Sequence, residues 1–237
     1  MRHNPLHVGR FFFATPLLPC PYLPDRNERR VVSELVGRNA NDHNSALTLA
    51  GYRRSHSIVY APACPDCDAC AALRIKVADF DWKRSWRRTM NANRDLTVTE
   101  TGPTATSEQF ELFAGYQSSR HAGGDMAKMN YFDYSSLVED TPVDSYVTEF
   151  RDAGELVAVC LADRLRDGLS AVYSFFDPGG GRRSLGTLMI LRLVEQAQAR
   201  KLDHVYLGFW ISGCAKMSYK SRFRPIETFT PEGWRLR

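Results

Sequence analysis

Three strand-like runs, Ser145 to Phe150, Glu155 to Ala162 and Leu169 to Phe176, follow one another with only short, turn-rich links between them. The links Arg151-Asp-Ala-Gly154 and Asp163 to Gly168 leave no room for a crossover, so the runs predict an antiparallel meander. After Asp177-Pro-Gly-Gly-Gly-Arg-Arg183 the period changes: Leu185 to Lys201 is helical and apolar around much of its circumference, and His204 to Phe209 returns as a strand. Strand, helix, strand predicts a parallel crossover onto the meander. Upstream, Thr106 with Gln109 forms a capping box that opens a helix through about Ser119, with Phe110, Phe113, Ala114 and Gln117 on one face.

Residues 1 to about 100 are different, rich in Pro, Cys and Arg and poor in long periodic stretches, with the Pro-bearing loop Thr101 to Thr106 as the junction. The expectation is two parts, 1-104 and 105-237. A meander leading through a loop into a helix and a further strand resembles the core of the N-acetyltransferase (GNAT) fold. The expected class is therefore α+β, with a GNAT-like C-terminal domain and a Cys-rich N-terminal subdomain. In that family the loop before the helix reads Arg/Gln-x-x-Gly-x-Gly/Ala, and its amides hold the pyrophosphate of acetyl-CoA. Arg183-Ser-Leu-Gly186-Thr-Leu188 matches only the first two fixed positions, and Leu188 at the last is expected to obstruct close approach of the backbone. An acyl-CoA donor is disfavoured.

A chain with 43% hydrophobic and 24% charged residues can bury a core, and no apolar run nears the roughly 20 residues a bilayer needs. Arg2 and Arg10 before Phe11 to Cys20 faintly resemble a lipoprotein signal. Pro16 and Pro19 interrupt the stretch and no small residues precede the cysteine, so a cytoplasmic protein is expected. Its six cysteines then read as thiols or metal ligands rather than disulfides. Cys64, Cys67 and Cys70 lie within seven residues and Cys20 can supply a fourth thiolate, a set suited to a structural zinc ion or an iron-sulfur cluster; reduced thiols without metal are the alternative. Cys160 reads as a core residue, and Cys214 lacks the partners of a nucleophile.

The net charge of +4 is mild, so nucleic-acid binding has to come from local clusters. Two stand out. Lys216, Lys220, Arg222 and Arg224 fall within nine residues, with Tyr219 and Phe223 between them, a mix suited to phosphates and stacked bases. From Trp82 to Arg94, five cations (Lys83, Arg84, Arg87, Arg88 and Arg94) occur without one acidic residue, on one broad face if the segment is helical. Trp82 and Trp86, four apart, anchor that helix or meet a base. Arg53-Arg54 and Arg29-Arg30 read as weaker cases. Arg120 and His121 close a helix at a glycine-bearing loop, Asp163 and Asp167 flank a hairpin turn, and Tyr173 and Trp210 read as core or cleft lining.

Several words together resemble the aminoacyl-tRNA-protein transferases, and within them the bacterial leucyltransferases: Pro19-Cys-Pro-Tyr-Leu-Pro24, Gly51-Tyr-Arg-Arg-Ser55, Pro62 to Cys70, Asp167 to Phe175, Ser184-Leu-Gly186 and Tyr206 to Pro225. Leu23 stands where the arginyl branch has a second cysteine, which favours the leucyl branch. The resemblance implies transfer of leucine from Leu-tRNA to proteins beginning with Asp or Glu, marking them for N-degron degradation, with no cofactor required for transfer and with neither DNA nor a membrane as partner. An arginyl donor, or an RNA-binding module without catalysis, is the alternative.

Such chemistry makes small demands on a base, because the ester is activated and an α-amino group with a pKa of about 7.7 to 8.0 is partly deprotonated at neutrality. Positioning, oxyanion donors and cations must do the rest. Asp163, to orient the amine, and Tyr219 are the catalytic candidates. Arg87, Arg88, Ser184, Gly186, Lys216, Lys220 and Arg222 are assigned to the tRNA donor. Arg120, His121, Tyr173 and Trp210 are assigned to the acceptor, and Cys20, Cys64, Cys67 and Cys70 to a metal.

Overall fold

A computed structural model describes residues 11–179 and 181–237; Arg2 and Arg10 lie outside them. The N-terminal part holds β1 (Phe13–Ala14), β2 (Leu18–Pro19), β3 (Asn27–Glu28), β4 (Arg30–Glu34), α1 (Ala40–Leu49), β5 (Arg53–Ser55), β6 (Ile58–Pro62) and β7 (Cys70–Lys76). Then come α2 (Arg84–Asn91), β8 (Thr97–Thr101), α3 (Ser107–Arg120) and α4 (Tyr131–Glu139). The remainder is β9 (Ser145–Asp152), β10 (Glu155–Arg164), β11 (Gly168–Phe176), α5 (Leu185–Ala199), β12 (His204–Ile211), β13 (Ile226–Thr230) and β14 (Gly233–Leu236), with a 3-10 segment, Ala215–Arg222, between β12 and β13.

The meander stands where the sequence puts it: β10 pairs antiparallel with both β9 and β11. The Thr106–Gln109 capping box starts α3 as expected, and β11 pairs parallel with β12 after the α5 crossover. β10 is buried along almost its whole length, because each face meets helices, the usual reason for an unbroken apolar strand. Ala158, Cys160 and Ala162 share a core with Leu188, Leu191 and Val194 of α5. Val159 and Leu161 pack with Phe113 of α3 and Tyr134 and Leu137 of α4. Helices on both faces of a mostly antiparallel sheet give the mixed, GNAT-like arrangement expected.

The principal sheet runs β14-β13-β7-β12-β11-β10-β9-β8. It takes β7 and β8 from before residue 104 and the rest from after it, so the boundary at 104 does not divide the sheet. β7 sits centrally, bonded to β12 on one side and β13 on the other. A smaller sheet, β1-β4-β6-β5, is tied to the meander by a buried ion pair: Arg54 donates to Asp163 through Nε at 2.6 Å and Nη2 at 2.7 Å.

The parallel ladder between β11 and β12 is short. It covers Gly168 to Ser170 against His204 to Tyr206, after which the strands part. Two cations fill the opening. Lys220 donates from Nζ to the carbonyls of Leu207 at 2.8 Å and Phe209 at 2.7 Å. From the other sheet, Arg53 donates from Nη2 to the carbonyl of Val172 at 2.9 Å. Arg53 passes so close to Gly208 that a Cβ there would lie 3.1 Å from the arginine side chain, and Gly208 has φ +69°, a conformation glycine adopts freely.

Candidate active site

Where β11 ends and α5 begins, the chain leaves an open cleft of about 370 Å³. Ser174, Phe176 and Asp177 line it from β11 and the following turn, Ser184, Gly186 and Thr187 from the start of α5, and Tyr116, Arg120 and Tyr219 from the flanks. The α5 end is shaped for an anion or oxyanion. Ser184 sits at the N-cap in the left-handed region, φ 53°, and its side chain caps nothing; its carbonyl takes the Thr187 and Leu188 amides, which leaves those of Leu185 and Gly186 without intrahelical acceptors at the positive end of the helix dipole. At Gly186 a Cβ would stand 3.1 Å from the Phe176 ring; the absence of a side chain lets helix and strand approach there.

Asp177 contributes a carboxylate, with Oδ1 accepting the Gly179 N–H at 2.9 Å and the rest of the group available to the cleft. Arg120 is exposed and unpaired among the described residues. Its neighbour His121 has its pKa lowered by burial and then by Lys216 and Arg120, which places three cationic or titratable groups together at the mouth. Tyr219 has its pKa raised by burial, then by Tyr116.

Ser184, Gly186, Tyr219 and Arg120 therefore meet in one cleft, with Lys216 and His121 beside it. The other expected residues do not. Asp163 is wholly buried and occupied by Arg54 and by Ser145, whose Oγ donates at 2.7 Å, so it cannot orient a substrate amine; its place is at the seam between the sheets. Lys220 points inward onto two carbonyls rather than out to phosphates, and burial, then Arg53, lowers its pKa to about 7. Trp210 belongs to the core, with the Arg237 guanidinium 4.3 Å above its ring. Tyr173 faces α3, where Gln117 donates to its hydroxyl at 2.5 Å. Arg222 is exposed but lies over Trp86 at 5.3 Å, near Arg87 and Arg88 on α2. Leu188 is fully buried beneath α5 and obstructs nothing in the cleft.

Asp177, Ser174, Tyr116 and Thr187 were not marked by sequence reasoning. Asp177 opens a Pro-Gly turn, where Asp is expected for turn chemistry alone, and only the fold shows that this turn is the cleft wall.

Cys20, Cys64, Cys67 and Cys70 line one cavity of about 30 Å³ although Cys20 is remote in sequence. The Cys70 thiol is pushed up to about 11 by burial, then by Cys20, Cys64 and Cys67. Among the described residues, no group of three or more His, Cys, Asp or Glu side chains is set to hold a metal ion. The thiols are gathered, and each still has to lose its proton before it can act as a ligand.

Comparison with known proteins agrees over most of the chain. Residues 108–230 match the family model for the C terminus of arginine-tRNA-protein transferase, and residues 18–88 match that for its N terminus. An aspartate/glutamate leucyltransferase of Paramagnetospirillum magneticum is 55% identical over 99% of this chain and 97% of its own length. One from Rhodospirillum rubrum is 50% identical, covering 99% and 96%. Among solved structures, a tandem GNAT protein of the clavulanic acid biosynthesis pathway aligns with TM-score 0.42 and 11% identity over 85% of this chain and 56% of that one. With two family models side by side along the chain and half or more of its residues shared with named relatives, the protein is a transferase that belongs to the arginine-tRNA-protein transferase family, among its aspartate/glutamate leucyltransferases.

Proposed function

We propose that this protein moves leucine from Leu-tRNA to the α-amino group of proteins beginning with Asp or Glu, in the cytoplasm, marking them for N-degron degradation. The observation that carries the reading is the cleft itself: one carboxylate, the two free helix amides of Leu185 and Gly186 and a cationic mouth share a single open volume. The acceptor amine attacks the ester carbonyl, the carbon–nitrogen bond forms as the ester carbon–oxygen bond breaks, and the terminal ribose leaves with its hydroxyl restored. Asp177 holds the amine, accepts its proton and returns it to the departing ribose oxygen. The amides of Leu185 and Gly186 stabilise the oxyanion or hold the terminal phosphate. Tyr219 lends a hydroxyl at the opposite wall. Arg120, His121 and Lys216 receive the acceptor's acidic side chain.

An acyl-CoA donor fits poorly for a reason other than the one read from sequence. The opening between β11 and β12 exposes strand carbonyls, and Lys220 and Arg53 already occupy three of them, which leaves an extended acyl arm little backbone to pair with.

The test uses radiolabelled Leu-tRNA and Arg-tRNA in parallel, with reporters beginning with Asp, Glu or Lys. Label from Leu-tRNA on the two acidic reporters alone is expected. Label from Arg-tRNA instead would move the donor to arginine, and binding of tRNA without transfer would leave a non-catalytic module.

A structural zinc ion or iron-sulfur cluster on Cys20, Cys64, Cys67 and Cys70 forms part of the same proposal, supported by the convergence of the four thiols on one cavity. Elemental analysis of protein purified without chelator is expected to find metal that the Cys67→Ser variant loses; protein without metal that still transfers leucine would reduce the cluster to packing.

A further inference from the structure

The arginines on and just after α2 are crowded together without a counter-charge. Among the described residues, nine arginines, from Arg30 to Arg200, are ion-paired with a carboxylate. Arg84, Arg87, Arg88 and Arg94 are all exposed and have neither an ion pair nor a side-chain hydrogen bond among the described residues. Like charges crowded on one short helix oppose its formation, so something else must hold it. Trp86 does: it is 2% exposed and stacks on Phe223 with ring centroids 4.8 Å apart, with Lys83 and Arg222 over its faces. The inner face anchors the helix and leaves the outer cations unneutralised.

Two of those cations border an open groove: Arg87 from α2 and Arg94 just beyond it face Arg192, Glu195 and Gln198 of α5 across about 510 Å³. The two helices run antiparallel, fastened at both ends. Asn93 donates to the Arg183 carbonyl at 2.9 Å beside the start of α5, and Trp82 donates from Nε1 to Gln198 at 3.1 Å near its finish. The seam between the two helices, on which the groove lies, thus reaches the cleft rim at Ser184. Along α5 the groove is lined by Arg192, Glu195 and Gln198, which begin about 12 Å along the helix from Ser184 at 1.5 Å per residue.

We propose that this groove binds the phosphate backbone of the donor RNA's acceptor-stem duplex, while its single-stranded 3′ end enters the cleft; the assignment rests on the aminoacyl-tRNA donor argued above. A duplex fits better than a single strand. The one aromatic residue in the groove, Trp82, is held edge-to-face against Phe80 at 5.1 Å and spends its N–H on Gln198, so no platform for stacked bases is offered. What the groove offers is the unpaired positive charge of Arg87 and Arg94, beside the matched Arg192–Glu195 pair, which phosphates answer whatever the sequence. Arg192 stands across from them on α5, but its charge is matched by Glu195 at 2.6 Å, so the unpaired charge of the groove comes from Arg87 and Arg94.

The test measures binding of uncharged leucine tRNA by filter retention from 50 to 200 mM salt. It compares the wild type, an Arg87→Gln/Arg94→Gln variant, and an Arg38→Gln/Arg235→Gln control that loses the same charge from exposed, unpaired positions elsewhere. The groove variant is expected to bind about 10- to 100-fold more weakly, with the slope of log affinity against log salt shallower by about two. Its KM for Leu-tRNA rises with kcat little changed. The control shifts less than about twofold by the same arithmetic. An unchanged slope in the groove variant, or an equal loss in the control, overturns the assignment. Wild-type protein that binds tRNA through these arginines yet transfers nothing would refute the transferase reading and leave the groove standing; normal transfer by the groove variant would do the reverse.

Discussion

Asp163→Asn is expected to lower the stability of the fold by about 3 to 5 kcal/mol, the cost of stranding one member of a buried ion pair. The carboxylate is fully buried and accepts from Arg54 twice and from Ser145. The amide that replaces it keeps the shape but leaves the Arg54 charge without a counter-ion. Against the roughly 5 to 15 kcal/mol that a domain has in total, the loss is large. A denaturation midpoint far below the wild type, with transfer per folded molecule unaltered, is the expected pair of results. A midpoint unchanged and transfer abolished would return Asp163 to the reaction. An Arg54→Met/Asp163→Leu variant, which removes both charges, is expected to recover much of the loss.

Asp177→Asn should do the opposite. At the cleft wall its carboxylate binds one backbone N–H, at Gly179, and an amide oxygen replaces that contact, so stability should move by no more than about 0.5 kcal/mol. Transfer is expected to fall about 100-fold in kcat/KM, within the range for a positioned proton acceptor. If Asp177 takes the proton, the remaining activity of the variant should rise with pH as the acceptor amine deprotonates by itself, and the gap to wild type should narrow toward pH 9. A gap that stays constant with pH would mean that Asp177 holds the amine without accepting its proton. Wild-type activity in the variant would remove it from the site.

These two aspartates also show what a sequence makes legible and what it hides. The meander, the capping box at Thr106 and the α5 crossover are local: each rests on turn lengths, caps and periodicity within a few residues, and each stands where those signals point. Ser184 and Gly186 belong to the same class, since a helix start after a strand fixes their surroundings. Orientation is not local. Asp163 and Asp177 both border turns, and only the approach of the β5–β6 hairpin determines that the first is buried by Arg54. Lys220 reads as one cation among four, yet the parting of β11 and β12 draws it inward. Arg53, ordinary in sequence, fills the same opening from the other sheet. Cys20 joins the other three thiols because of where β2 and β3 lie, which no spacing rule conveys. α1 and α4 went unread, although Asn130 and Asp133 form a capping box as clear as the one at Thr106.

The central position of β7 has a consequence for how the protein is made. Both strands that flank it, β12 and β13, come from the C-terminal end of the chain. On the ribosome, β7 emerges with two bare edges and finds neither partner until β12 and β13 have followed, whereas β9, β10 and β11 emerge together and can pair at once. Contacts so distant in sequence are slow to close, and an unpaired apolar strand invites association with other chains meanwhile. The meander should therefore gain hydrogen-exchange protection first and β7 last. Until β12 and β13 emerge to lock it in, β7 would be a client of whatever shields nascent chains.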